Sequence, residues 1–303
     1  MTILSPRVDF AFKLIFEQHK DMLMSLINAV VSDIDQVQDL EVRNPYTRKD
    51  TSFEKFAVLD IKAQATNGTY YNIEVQVTDE LHYDKRSLYY WAKLYADQMI
   101  AGDSYSSLQK TIGIHVLNFS LLDEVKYHNV FHIVNKDNGK KFSDMLELHY
   151  IELPKVPTDF SYILNTLDRW SAFLARAEKY TATTLPDALS SDPMICKAME
   201  IFETTRLDDS DRQTYDARLK WLRDETSALE TRYIRGKIEG KIEGKAEGKA
   251  EGKAEGKAEG KIEGKAEGKA EGKIEGKIET AQAMDAAGFD KETIRKITGL
   301  DNW

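Results

Sequence analysis

The sequence predicts an α/β domain ordered helix, strand, strand, strand, helix, strand, followed by further helices and a repetitive tail. Three observations lead there. Residues 56–77 alternate apolar and polar side chains on both sides of a Thr-Asn-Gly break, as a hairpin with one core-facing side does. The segments flanking this hairpin carry apolar side chains at helical spacing. A run of strand-forming residues, TIGIHVLNF at 111–119, follows the second of those helical segments.

The first helix is expected over residues 5–31. Ser5-Pro6 reads as an N-cap followed by proline at the first helical position, and Phe12, Ile15, Phe16, Leu23, Leu26, Ile27 and Val30 recur along one face. Asp9 and Lys13 sit four apart on this helix, the spacing of a surface ion pair. A strand at 37–43 is closed by Asn44-Pro45.

Loop length decides the register of the hairpin. A two-residue Asn67-Gly68 turn would pair Asp60 with Val75 and scramble both faces. A three-residue loop, Thr66-Asn67-Gly68, sets Ile61 against Ile73, Leu59 against Val75 and Asp60 against Glu74. Opposed side chains have Cβ atoms about 4.5–5.5 Å apart, so two carboxylates there repel unless something positive joins them. A divalent cation with oxygen ligands, Mg²⁺ first among them, is one solution. The other is Lys62, diagonal to Glu74, neutralising the pair on a face that simply meets solvent.

The next helix is expected over residues 81–101, ended by Gly102, with Leu88, Trp91, Tyr95 and Met99 as its core stripe and Arg86, Tyr90, Lys93 and Asp97 on another side. Strands follow at 111–119, 129–135 and 146–153, then helices at 160–179, 186–205 and 210–235, which no linker-like composition separates from the sheet. His128 and His132 share a strand without an evident third ligand, and neither a glycine-rich phosphate loop nor a nucleophile elbow is present.

Residues 236–279 are eleven uninterrupted copies of Gly-Lys-(Ile or Ala)-Glu. In a helix each glycine costs about 1 kcal/mol against alanine, and a period of four sets Lys beside Lys and Glu beside Glu at i,i+4. Two states stay open for this spacer: a solvated chain, or a helix stabilised by association along its small residues. Beyond it, Ala281 and Met284 suggest a short helix stopped by Gly288, and Asp290 caps another containing Ile294 and Ile297 that stops at Gly299. The expected organisation is a domain at 1–235, the repeat array at 236–279 and a helical segment at 280–303.

Composition limits the function classes. The net charge of the 303 residues is −9 and the repeats are neutral, so any nucleic-acid surface must be a local basic patch. A single cysteine, Cys196, rules out an internal disulfide. No charged-then-apolar leader opens the sequence and no apolar run approaches membrane-spanning length, so the expectation is a cytoplasmic protein without a membrane partner.

Asp9-Phe-Ala-Phe-Lys13, Asp60, Glu74-Val-Gln76 and the helix carrying Arg86 and Tyr90 resemble the recombination-promoting nuclease/transposase (Rpn) family of the PD-(D/E)XK nuclease superfamily, over residues 1–235. The resemblance implies a restriction-endonuclease-like PD-(D/E)XK core, αβββαβ. It implies that Asp60 and Glu74 bind Mg²⁺ and that Gln76 stands at the motif lysine, while Leu59 replaces the motif proline. The implied activity is metal-dependent endonucleolytic hydrolysis of DNA in recombination or transposition. Gln76 can orient water or a phosphate oxygen but supplies no positive charge, which Lys62 on the same face could supply. Asp9, Lys13, Arg86 and Tyr90 are expected to contact DNA or support the site, Arg86 either at phosphate or as an anchor of its helix to the sheet. Two other readings stand beside the nuclease: a catalytically weak DNA- or partner-binding protein on the same fold, and an assembly protein that forms homo-oligomers through its tail.

Overall fold

The computed structural model describes residues 3–31, 35–43, 61–79 and 81–303. Among these, β1 (Leu40–Val42), β2 (Ile61–Ala65), β3 (Tyr70–Gln76), β4 (Thr111–Leu117), β5 (His128–Val134) and β6 (Lys141–Glu152) form one mixed sheet in the order β1-β2-β3-β4-β6-β5. β1, β2 and β3 pair antiparallel, β3–β4 and β4–β6 are parallel, and β5 returns antiparallel along β6. Parallel neighbours need a crossover. Between β3 and β4 it contains helix α3 (Tyr83–Ala96), which packs on the face of the sheet that carries Glu74.

The hairpin has the register of the three-residue loop. Ile61 pairs with Ile73, and the Ala65 N–H donates to the Thr69 carbonyl at 2.9 Å across Thr66-Asn67-Gly68. Gly68 has φ +93°, a conformation that side chains disfavour, and a Cβ there would also lie 2.7 Å from Gln109 Oε1.

Both faces of the sheet are covered. Tyr71, Ile73, Ile112, Ile114 and Ile151 enter the main core with α1 (Asp9–Gln18), α2 (Lys20–Val30), α4 (Thr166–Arg176) and α6 (Pro193–Thr204). Phe16 is at its centre, 4.2 Å from Phe12, 5.7 Å from Trp170 and 6.3 Å from Phe202 between ring centroids. On the opposite side Tyr83, Leu117, Leu148 and Tyr150 form a smaller cluster beneath α3. On the polar side of the hairpin Asn72 and Glu74 are almost wholly enclosed, while Lys62, Gln64 and Gln76 stay partly exposed.

Several element expectations are corrected. The single helix at 5–31 is two, broken at His19 (φ −119°, ψ 76°), and Pro6 lies in a turn closed by Val8 N–H on Ser5 C=O. Phe16 and Leu23 are seven residues apart, two helical turns, so the apolar pattern stays in phase across the break and conceals it. The helix at 160–179 reduces to α4 with short 3₁₀ turns on either side, because Asn165 and Asp168 form a capping box at 165. The one at 186–205 divides into α5 (Asp187–Ser190) and α6, where Asp192 accepts from Met194 N–H and Pro193 takes the first helical position.

Two compact units divide the chain at Ser227 and Ala228. Helix α7 (Asp209–Ala286) starts in the first. Within the second unit the repeats are helical throughout. The short helix expected near Ala281 is the last part of α7, not a separate element. Helix α8 (Lys291–Thr298) begins and ends as expected, with Asp290 accepting from Glu292 and Thr293 N–H and Gly299 at φ +62°. No helix among the described residues is long and apolar enough to cross a membrane.

Candidate active site beneath helix α3

Glu74 is the centre of a buried polar cluster. Strand alternation points it away from the main core, beside cross-strand His115 of β4 and in line with Tyr150 of β6. Its Oε1 accepts from Asn72 Nδ2 at 2.9 Å and its Oε2 from the Tyr83 hydroxyl at 3.0 Å. His115 Nδ1 is 3.0 Å from that hydroxyl and 3.6 Å from Glu74 Oε2. Burial raises the carboxyl's proton affinity, but His115, the Asn72 amide and the Arg86 guanidinium outweigh burial and hold its pKa below the ordinary value. The group is thus an anion kept out of water.

Gln76, two residues along on the same face, is tied at both ends of its amide. Arg86 Nη2 donates to its Oε1 at 2.7 Å, and its Nε2 donates to the Thr78 carbonyl at 3.2 Å. The Arg86 guanidinium also lies over the rings of Tyr83 and Tyr90, 5.0 and 5.8 Å from their centroids. A permanent cation therefore sits where β3 meets α3. Lys62 pairs with Asn72, so it lies on the same face, diagonal to Glu74.

Asp9 and Lys13 are engaged outside the Glu74 cluster. Asp60 lies outside the described residues. Asp9 is paired with Arg218 through both carboxylate oxygens rather than with Lys13, and Lys13 has Glu17 at 3.6 Å. The Arg218 guanidinium lies 4.5 Å from the Trp221 ring centroid. Asp9 thus fastens α1 to the start of α7.

Sequence reasoning did not connect Tyr83 and His115 to Glu74. The expected α3 stripe holds at Trp91, which packs on the smaller cluster, but Leu88 is 49% exposed, while Tyr83, Ser87 and Leu94 face inward. A second polar cluster, on the other sheet face, was also missed. Glu147 accepts from Lys110 and contacts His149 Nε2 at 2.7 Å, and His149 Nδ1 lies 3.0 Å from His128 Nε2. His132 approaches Glu147 at 3.8 Å. No group of three potential ligands among the described residues has metal-binding geometry.

The chain runs α1, α2, β1, β2, β3, α3, β4, with the buried acidic residue on β3. A family model described as PD-(D/E)XK nuclease family transposase matches residues 6–232. The chain belongs to this family. No curated protein and no solved structure matches it. Membership identifies the sheet and its flanking helices as a PD-(D/E)XK nuclease fold and supports nuclease-type chemistry; nucleases of this fold typically use divalent metal ions. β3 carries Glu74-Val75-Gln76, the stretch in which the sequence reading expects the second acidic residue and the motif-lysine position.

Proposed function

We propose that this family member is a Mg²⁺-dependent DNA endonuclease that hydrolyses phosphodiester bonds in recombination or transposition. The observation that carries the reading is Glu74: a buried carboxylate held ionised on the second strand of the hairpin. Among the described residues each oxygen has one hydrogen bond, which leaves lone pairs for a hard cation, so the donor fits an oxygen-seeking metal. Asp60, opposite Glu74 in the sequence reading, is the proposed second ligand. A bound Mg²⁺ would supply a nucleophilic hydroxide from water and stabilise charge on the phosphate.

The residues around the carboxylates have distinct proposed roles. Gln76 holds Arg86, whose guanidinium faces the phosphate in place of the motif lysine. Tyr83 and Tyr90 keep that guanidinium oriented through their ring faces. Lys62 is proposed as a second cation along the DNA. The positive charge that Gln76 lacks is thus supplied locally, which also answers the net acidity of the chain.

Supercoiled-plasmid cleavage by purified wild type and Asp60→Ala, each with Mg²⁺ and with EDTA, tests the reading. Cleavage by wild type alone, abolished by EDTA, is expected. Equal cleavage by both proteins would overturn it.

We also propose self-association through the tail. The eleven repeat glycines cost a lone helix on the order of 10 kcal/mol, and a Cβ at any of them meets nothing within 4 Å in this chain. A second copy is the closest source of compensating contact. Light scattering on the full chain and on a form ending at Arg235 should give a multiple of the monomer mass for the former only.

A further inference from the structure

The Glu74 carboxylate is held by more than its own strand. The Tyr83 hydroxyl, brought in from the first turn of α3, lies 3.0 Å from Glu74 Oε2 and 3.0 Å from His115 Nδ1. Tyrosine has one hydroxyl proton, and it is donated to Glu74 Oε2. The tyrosine oxygen must then accept from His115, so the chain runs Nδ1–H to hydroxyl to carboxylate.

Each ring in this chain is immobilised. His115 stacks on Tyr150 at 5.0 Å and 19°, and Tyr83 meets both His115 and Phe119 edge-on. The Tyr150 hydroxyl is 2.6 Å from Ser87 Oγ, which fixes the same helix at a second point. His115 Nε2, by contrast, is buried without a hydrogen-bond partner among the described residues. It faces the backbone of Gly113, where a Cβ would come within 3.0 Å. An enclosed ring nitrogen without a partner is unfavourable. The smaller core around it is made of Leu117, Leu148 and aromatic rings, and an apolar residue at 115 would suit it better. The imidazole is kept at a cost to stability, and what it does in return is donate through Nδ1.

We propose that Tyr83 and His115 are positioning residues for the metal-ligating carboxylate, fixing the orientation of Glu74 through the His115–Tyr83–Glu74 hydrogen-bond chain. The inference rests on the proposed metal site and adds two residues outside the Asp-Glu-Gln signature. Partners that orient a metal ligand typically change affinity by about 10- to 100-fold when removed.

The test is Mn²⁺ binding, followed by calorimetry on the full-length protein without DNA. Tyr83→Phe removes one oxygen and keeps the ring, while His115→Phe removes the donor. Both are expected to weaken Mn²⁺ binding about tenfold or more. His115→Asn keeps a donor at the Nδ1 position, because Asn Nδ2 is likewise attached to Cγ, and should bind within about threefold of wild type. A merely structural histidine would not be rescued in this way. Wild-type affinity in Tyr83→Phe and His115→Phe, with binding lost in Glu74→Gln, would overturn the inference and leave the metal site standing. Absence of Mn²⁺ binding by wild type, or full binding by Glu74→Gln, would overturn the metal site and the inference with it.

Discussion

Arg86 Nη2 donates to Gln76 Oε1 at 2.7 Å, which joins α3 to the strand that carries Glu74. A lysine at position 76 should therefore harm this protein. In Gln76→Lys an ammonium replaces the acceptor and faces the guanidinium, removing a hydrogen bond to a charged group, worth about 1.5–3 kcal/mol, and adding repulsion. The expected outcome is a melting temperature several degrees lower, with plasmid cleavage below wild type. Gln76→Glu keeps an acceptor for Arg86 and should melt at or above the wild-type temperature. A Gln76→Lys protein that is both more stable and more active would show that Arg86 does not serve as the local cation.

The hairpin is legible because its two restraints are local: strict alternation and a loop whose length admits one self-consistent register. The Ile61–Ile73 pairing follows from those alone. The inward side of α3 is not legible in the same way. That helix covers a polar part of the sheet, so hydrogen bonds select its inward residues: Tyr83 to Glu74, Ser87 to Tyr150, and Trp91 Nε1 to the Thr111 carbonyl at 2.8 Å. An apolar count along the helix prefers Leu88, which the structure leaves exposed. His115 was hidden for a related reason. It comes beside Glu74 only through the β3–β4 register, a non-local pairing that periodicity cannot supply.

Asp9 and Arg218 make a paired contact between α1 and α7, with Asp9 6% exposed. Asp9→Asn leaves a guanidinium facing a neutral amide in a largely enclosed place, and removal of one partner of such a pair is costly. A loss of roughly 2 kcal/mol is expected, measured as a lower urea midpoint with an unchanged slope. Mg²⁺-dependent cleavage per folded molecule should persist at low temperature. Loss of cleavage without loss of stability would instead assign Asp9 to the site.

Replacing the eleven repeat glycines by alanine should strengthen the tail helix. Each substitution removes about 1 kcal/mol of helix penalty, and open space surrounds every added methyl group. Measured at a dilution where light scattering gives the monomer mass, far-ultraviolet circular dichroism of the full chain should gain helical signal at 222 nm and hold it to higher temperature. Unchanged helicity of the monomer would overturn the glycine penalty as the reason for association.

Acid should destabilise the first unit in two stages, both traceable to the cluster on the main-core side of the sheet. His128 is pushed down to about 4 by burial and then by neighbouring His149, against the opposing influence of Glu147. Its unfolded value is about 6.5, so the unfolded chain takes up the proton first and stability declines as pH falls from about 6.5 towards 4. Burial pushes Glu147 up, but His149 and Lys110 outweigh it and bring its carboxyl down to about 2. Its contribution is complete above the unfolded carboxylate range of about 4.3 and is lost as pH falls towards 2. Asp35, on the other side of Lys110 at 2.8 Å, and His132 also border this cluster among the described residues. Urea midpoints measured from pH 7 to 3 should therefore fall in an upper and a lower stage. His128→Leu should flatten the upper stage and spare the lower, because it removes the base that must stay neutral while leaving Lys110 and His149 on Glu147. An upper stage that survives His128→Leu would assign that proton uptake to another histidine.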